Sequence, residues 1–175
     1  MTWSNGYFSL TRILGIASFV ASLALCGWRW RRCAEGDVFK TLFAALASVQ
    51  AVLLLDMVFD WRWRLHSFWM MEAMQGGWYG QRRGPQLLVL LALGAVAGLS
   101  VALIVRRLGN RPGAALALLG TVLSAGLWCI EAISLHAVDG VLYTRVGGAM
   151  VVSFLWILLA VVTCTGIWMD GAGRA

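Results

Sequence analysis

The stretch TLFAALASVQAVLLLDMVFD, Thr41–Asp60, decides the fold. It carries no charge before Asp56 and is apolar on every face. Wound as an α-helix at about 1.5 Å per residue it is about 30 Å long, the thickness of a bilayer's hydrocarbon core. Four further stretches read the same way: Arg12–Trp28, Gln86–Val105, Ala114–Ile133 and Gly147–Trp168. Strands of a membrane β-barrel would be about half as long and would alternate. The expectation is therefore an all-α integral membrane protein, a five-transmembrane-helix bundle forming a single membrane domain over residues 1–175.

Composition agrees. Of 175 residues, 61% are hydrophobic and 13% charged, against about 45–50% and about 25% in soluble domains. Soluble, disordered and collagen-like classes are excluded. A net charge of +6 would suggest nucleic acid in a soluble protein. Here the arginines lie between apolar runs, where they anchor helix ends, so no nucleic-acid partner is expected. Cys26, Cys33, Cys129 and Cys164 form no CxxC pair and read as small apolar residues.

Arg12 followed by Ile13–Leu25 resembles a secretory leader. No A-x-A site follows, Leu25 is too large for a lipoprotein cleavage box, and Trp28-Arg29-Trp30-Arg31-Arg32 reads as a stop-transfer anchor. The run is kept as helix 1. Arginines concentrated after it place the N-terminus outside and the C-terminus in the cytoplasm. By that count the inner side holds Arg29, Arg31, Arg32, Lys40, Arg106, Arg107, Arg111 and Arg174. The composition suits a multi-pass protein of a bacterial inner membrane. Gly94 and Gly98 form a small-xxx-small pair that suits close helix packing.

The connection 61–85, WRWRLHSFWMMEAMQGGWYGQRRGP, mixes tryptophans and methionines with arginines. Aromatic rings beside arginines favour the headgroup layer, so Trp61–Met74 is expected as an interfacial helix or a continuation of helix 2, ended by Gly76-Gly77.

Polar chemistry concentrates on one side. Asp56, Asp60, His66, Glu72, Glu131, His136 and Asp139 all fall at the outer ends of helices 2 and 4 or in the outer loops that follow. Asp56 and Asp60 are four apart and share a helix face. An acid at the depth of Asp56 costs about 2.5–3.5 kcal/mol on insertion scales and should face the bundle with a partner. If helix 4 continues, Glu131, His136 and Asp139 share an arc of about 140°.

Three readings compete. In the first, Asp56, Asp60, Glu72, Glu131 and Asp139 neutralise Arg62, Arg64, Arg82, Arg83 and Arg145 and lock the outer layer. In the second, Glu131, His136, Asp139, Asp56 and Asp60 hold a metal such as Fe, Mn or Zn, or His66 with Met70, Met71 and Met74 takes Cu. In the third, the acids handle protons, or Arg62, Arg64, Tyr79, Arg82, Arg83 and Arg145 hold a lipid phosphate or another anion. No phosphate loop, GxSxG, HExxH or CxxCH is present. The function expected is an accessory or binding subunit engaging a lipid, an anionic ligand, a partner membrane protein or a second copy. The alternatives are a membrane metalloenzyme and a proton-coupled transport component. No catalytic residue is singled out.

Overall fold

The computed structural model describes residues 9–108, 111–133 and 136–172. The side chains of Arg83 and His136, and all of Arg174, lie outside the described residues. Five helices are long and apolar enough to cross a membrane. They are α1 (Leu10–Arg32), α2 (Val38–Phe59), α4 (Arg83–Leu108), α5 (Pro112–Ile133) and α7 (Val151–Ala172). Between α2 and α4 run α3 (Trp61–Gln75) and a 3-10 turn, Tyr79–Gln81. Between α5 and α7 run a short α6 (His136–Leu142) and a two-stranded antiparallel hairpin, β1 (Arg145–Val146) and β2 (Ala149–Met150). The protein is an all-α membrane bundle.

Local chemistry sets the ends. Ser9 caps α1 by accepting from the Arg12 amide at 3.3 Å, and Asp37 caps α2 by accepting from the Phe39 amide at 2.9 Å. Both side chains satisfy amides that a helix start leaves unpaired. Asp60 ends α2 with φ 56°, the left-handed conformation that aspartate tolerates better than most residues. The chain therefore turns there and restarts as α3; it does not extend α2. The last span begins at Val151, after the expected Gly147, because Gly147 and Gly148 both take positive φ and close the hairpin.

Helices α1, α2, α5 and α7 make the body of the bundle: α5 lies along α7, and α1 packs on both α2 and α7. Glycine makes the α5–α7 approach close. A Cβ at Gly166 would overlap the Ala117 amide and lie 2.6 Å from the Gly113 carbonyl oxygen. One at Gly113 would overlap the Asp170 amide. Helices in lipid associate largely through such backbone contact, since apolar surface gains little from leaving apolar solvent. Two apolar layers fill the interior. Phe43, Leu46, Leu118 and Ile167 lie toward the α1–α2 turn, and Phe19, Leu53, Met57 and Trp156 toward α3. Between them Gln50 donates to Thr121 Oγ1 at 3.2 Å, tying α2 to α5.

Helix α4 stands outside this body. It leans on α5 through a stripe of Leu90, Ala97, Val101, Ile104 and Leu108, and none of its apolar window is fully buried. Gly94 and Gly98, expected at a helix contact, have no neighbour within 4 Å of a Cβ built on either. Gly98 lies to the side of the contact stripe, and Gly94, although on the stripe face between Leu90 and Ala97, is opposed by nothing within reach of a Cβ. Accordingly, Gly94→Leu and Gly98→Leu should shift the unfolding midpoint of the detergent-solubilised monomer by no more than about 0.5 kcal/mol, as for surface positions. A large loss of stability on SDS titration would place α4 inside the bundle.

Candidate functional site

Three of the charged residues singled out from the sequence meet on the α3 side of the bundle. Asp56 sits one turn before the end of α2. The turn at Asp60 brings the start of α3 back over it, so the Arg62 amide donates to Asp56 Oδ1 at 2.7 Å. The Arg62 side chain then points into the bundle. Its Nε lies 3.5 Å from Asp56 Oδ2, and its Nη1 donates to Glu131 Oε2 of α5 at 2.9 Å. Trp156 of α7 closes the group. Its Nε1 donates to Glu131 Oε1 at 3.1 Å, and its ring lies 5.2 Å from the guanidinium carbon. Met57 Sδ accepts from Arg62 Nη2 at 3.6 Å. The Arg62, Asp56 and Glu131 side chains are 6%, 1% and 1% exposed.

The arrangement is a buried tie between α2, α3, α5 and α7. Each charged group in a low-dielectric interior needs an opposite charge or several hydrogen bonds. Here one guanidinium faces two carboxylates, and the indole supplies a further donor. The bundle-facing partner expected for Asp56 is thus a residue only six positions along the chain.

The other expected members are placed elsewhere. Asp60 pairs with Arg12 of α1 at 3.2 Å, and Arg12 also donates to the Val58 carbonyl. His66 is half-buried on α3, its ring nearly perpendicular to that of Trp63, 6.1 Å between centroids. Glu72 and Arg64 are exposed on α3, and Arg145 is exposed on β1. Arg82 lies 3.9 Å over the Tyr79 ring. Asp139 is half-buried on α6; the link from α5 to α6, on which a shared arc of Glu131, His136 and Asp139 depends, lies outside the described residues. Trp63 packs 5.7 Å from Tyr143, between α6 and β1. Burial pushes the Tyr143 hydroxyl well above its usual range, and the negative charges of Glu131 and Asp139 push it further, against Arg62. Among the described residues no three His, Cys, Asp or Glu side chains converge as a metal requires.

Several members of these networks carried no sequence signal. Trp156 and Met57 read as ordinary apolar residues, and Arg12 as a headgroup anchor. On the opposite side of the bundle Arg29 of α1 donates twice to Asp170 Oδ2 of α7, from Nε at 2.9 Å and Nη2 at 2.7 Å, over the Phe43 ring. Arg29 had read as part of the stop-transfer anchor, and Asp170 lies beyond the last expected span, which ended at Trp168. Their 141-residue separation hides the pair.

Around the buried tie, the surface of this side holds exposed Trp61, Phe68, Trp69 and Trp78 together with exposed Arg64 and Arg145 and half-buried Arg82. None of these three arginines has a carboxylate within ion-pair distance among the described residues. Comparison of the chain with protein-family models, curated proteins and solved structures finds no match.

Proposed function

We propose that the chain is a small binding subunit of a bacterial inner membrane whose outer face, built on α3 and the hairpin, engages a phosphate-bearing anionic group. The observation that supports this is the division of labour among the arginines. Arg62 is consumed by Asp56 and Glu131, whereas Arg64, Arg82 and Arg145 have no carboxylate partner among the described residues, on a side that also exposes several tryptophans. A guanidinium presents a planar fork of donors matched to phosphate oxygens, and indole rings favour the headgroup layer in which such phosphates lie. In this reading the Arg62 tie fixes α3 on the bundle and so sets the spacing of the free cations. Helix α3 lies in the interface, the N-terminus is outside and the C-terminus cytoplasmic.

Titration of the detergent-purified protein with dihexanoyl phosphatidic acid, followed by tryptophan fluorescence, tests the reading. Exposed charge pairs contribute about 0.2–1 kcal/mol each, so the triple variant Arg64→Gln, Arg82→Gln, Arg145→Gln should weaken binding about tenfold. An unchanged Kd in a folded triple variant would sink the proposal. In a chain stripped of its native cysteines, Arg64→Cys should react with an impermeant maleimide added outside intact cells. Labelling only after permeabilisation would reverse the orientation.

A further inference from the structure

On the opposite side of the bundle, α4 and α5 diverge from their shared stripe and leave a groove of about 540 Å³. Val101, Val105, Ala115, Leu116 and Leu119 line it, and Arg111 stands at its end. Its size falls within the ~300–1,000 Å³ of small-molecule sites. Three observations separate it from a mere gap between helices. First, Arg111 is held in place, its guanidinium carbon 3.5 Å over the Phe39 ring of α2. Second, its Nη1 is buried with no acceptor among the described residues, a state that native side chains seldom keep without a ligand or water. Third, two acids of this side are ion-paired to other cations: Glu35 binds Lys40 and Asp170 binds Arg29. Arg106 and Arg107, exposed at the end of α4, add two more cations beside the groove.

We propose that this groove seats one acyl chain of an anionic glycerophospholipid, with Arg111 taking its phosphate. The occupant follows from the surroundings. Because α4 has no protein on its outward face, the groove opens to the bilayer, where acyl chains are the solvent. An apolar groove ending at a guanidinium that has no carboxylate in ion-pair distance among the described residues matches a molecule that is apolar along its length and anionic at one end. The neighbouring Arg106 and Arg107 favour a headgroup of net negative charge over a zwitterionic one. The bound lipid would fill the space that keeps α4 from closing fully on α5. This site is independent of the arginines on the α3 side.

Native mass spectrometry of the full chain in detergent, titrated with phosphatidylglycerol, phosphatidylcholine or inorganic phosphate, tests the assignment. One phosphatidylglycerol should be retained per chain, with phosphatidylcholine held several-fold more weakly and inorganic phosphate unable to displace the lipid. Arg111→Gln should lower retention about tenfold, and so should Leu119→Trp, which fills the groove from an exposed position. The triple variant on the α3 side should retain the lipid. Equal retention by wild type, Arg111→Gln and Leu119→Trp would overturn the proposal. So would displacement by inorganic phosphate with no effect of Leu119→Trp, which would mean a headgroup site without a chain. Should Arg111→Gln prove unfolded by its lipid-free melting midpoint, Leu119→Trp alone decides.

Discussion

Arg62→Met is expected to cost about 3–5 kcal/mol of stability, because it leaves the Asp56 and Glu131 carboxylates buried without their cation. The loss should appear as a sharply lowered SDS-unfolding midpoint and poor recovery of monomer from detergent. The combined variant Arg62→Met, Asp56→Asn, Glu131→Gln should regain most of it. With the charges gone, the amides can accept from the residue 62 backbone and from Trp156, and the methionine fills apolar space. Failure of the combined variant to recover would mean that Arg62 acts through shape and its contacts with Trp156 and Met57, with charge balance secondary. The test separates the two parts of the proposed role. A variant that is stable but binds phosphatidic acid poorly would show that the tie positions α3 for the ligand.

The second large effect is expected at the α5–α7 seam. Gly166→Ala should destabilise the bundle by about 2–3 kcal/mol, at the upper end for overpacking, and Gly166→Leu should prevent assembly. The atoms in the way are the Ala117 amide and the Gly113 carbonyl, which are backbone and cannot rotate aside. Relief requires the two helices to move apart, and that would also stretch the Trp156–Glu131 hydrogen bond farther along the same pair. Unchanged melting of Gly166→Ala would show that the helices tolerate such a separation. The contrast with Gly94→Leu is the informative part, since both glycines lie in apolar spans and only one is opposed by backbone.

That contrast also shows what could be read in advance. Span number and class followed from hydropathy, because burial in lipid demands a long apolar run whatever the helices do to each other. Which face of a span meets another helix is a different question. Gly94 and Gly98 have the spacing associated with packing, yet Gly113, Gly120 and Gly166 make the contact. Small residues permit an approach; the partner opposite determines whether it occurs.

The same distinction holds for the charges. An acid at the depth of Asp56 required a partner, and five acids against five arginines suggested general neutralisation of the outer layer. The structure pairs only Arg62 from that set among the described residues, since the left-handed turn at Asp60 aims it inward while Arg64 faces out. No glycine or proline at position 60 marked the turn. Trp156 was invisible for a simpler reason: its hydrogen-bond partner is on another helix, and an apolar run does not reveal which of its members carry a useful N–H.

The Arg29–Asp170 pair bears on how the protein is made. Its two residues are separated by four spans' worth of chain, and α7, which carries both Asp170 and Trp156, follows every helix that it packs against. At ~5–20 residues per second of synthesis, Arg29 waits roughly seven to thirty seconds for its acid. During that interval α1 resides in the bilayer with an uncompensated guanidinium, which its long side chain can carry to the headgroups. The Arg29–Asp170 tie and the Trp156–Glu131 hydrogen bond therefore form only after the final span has been made.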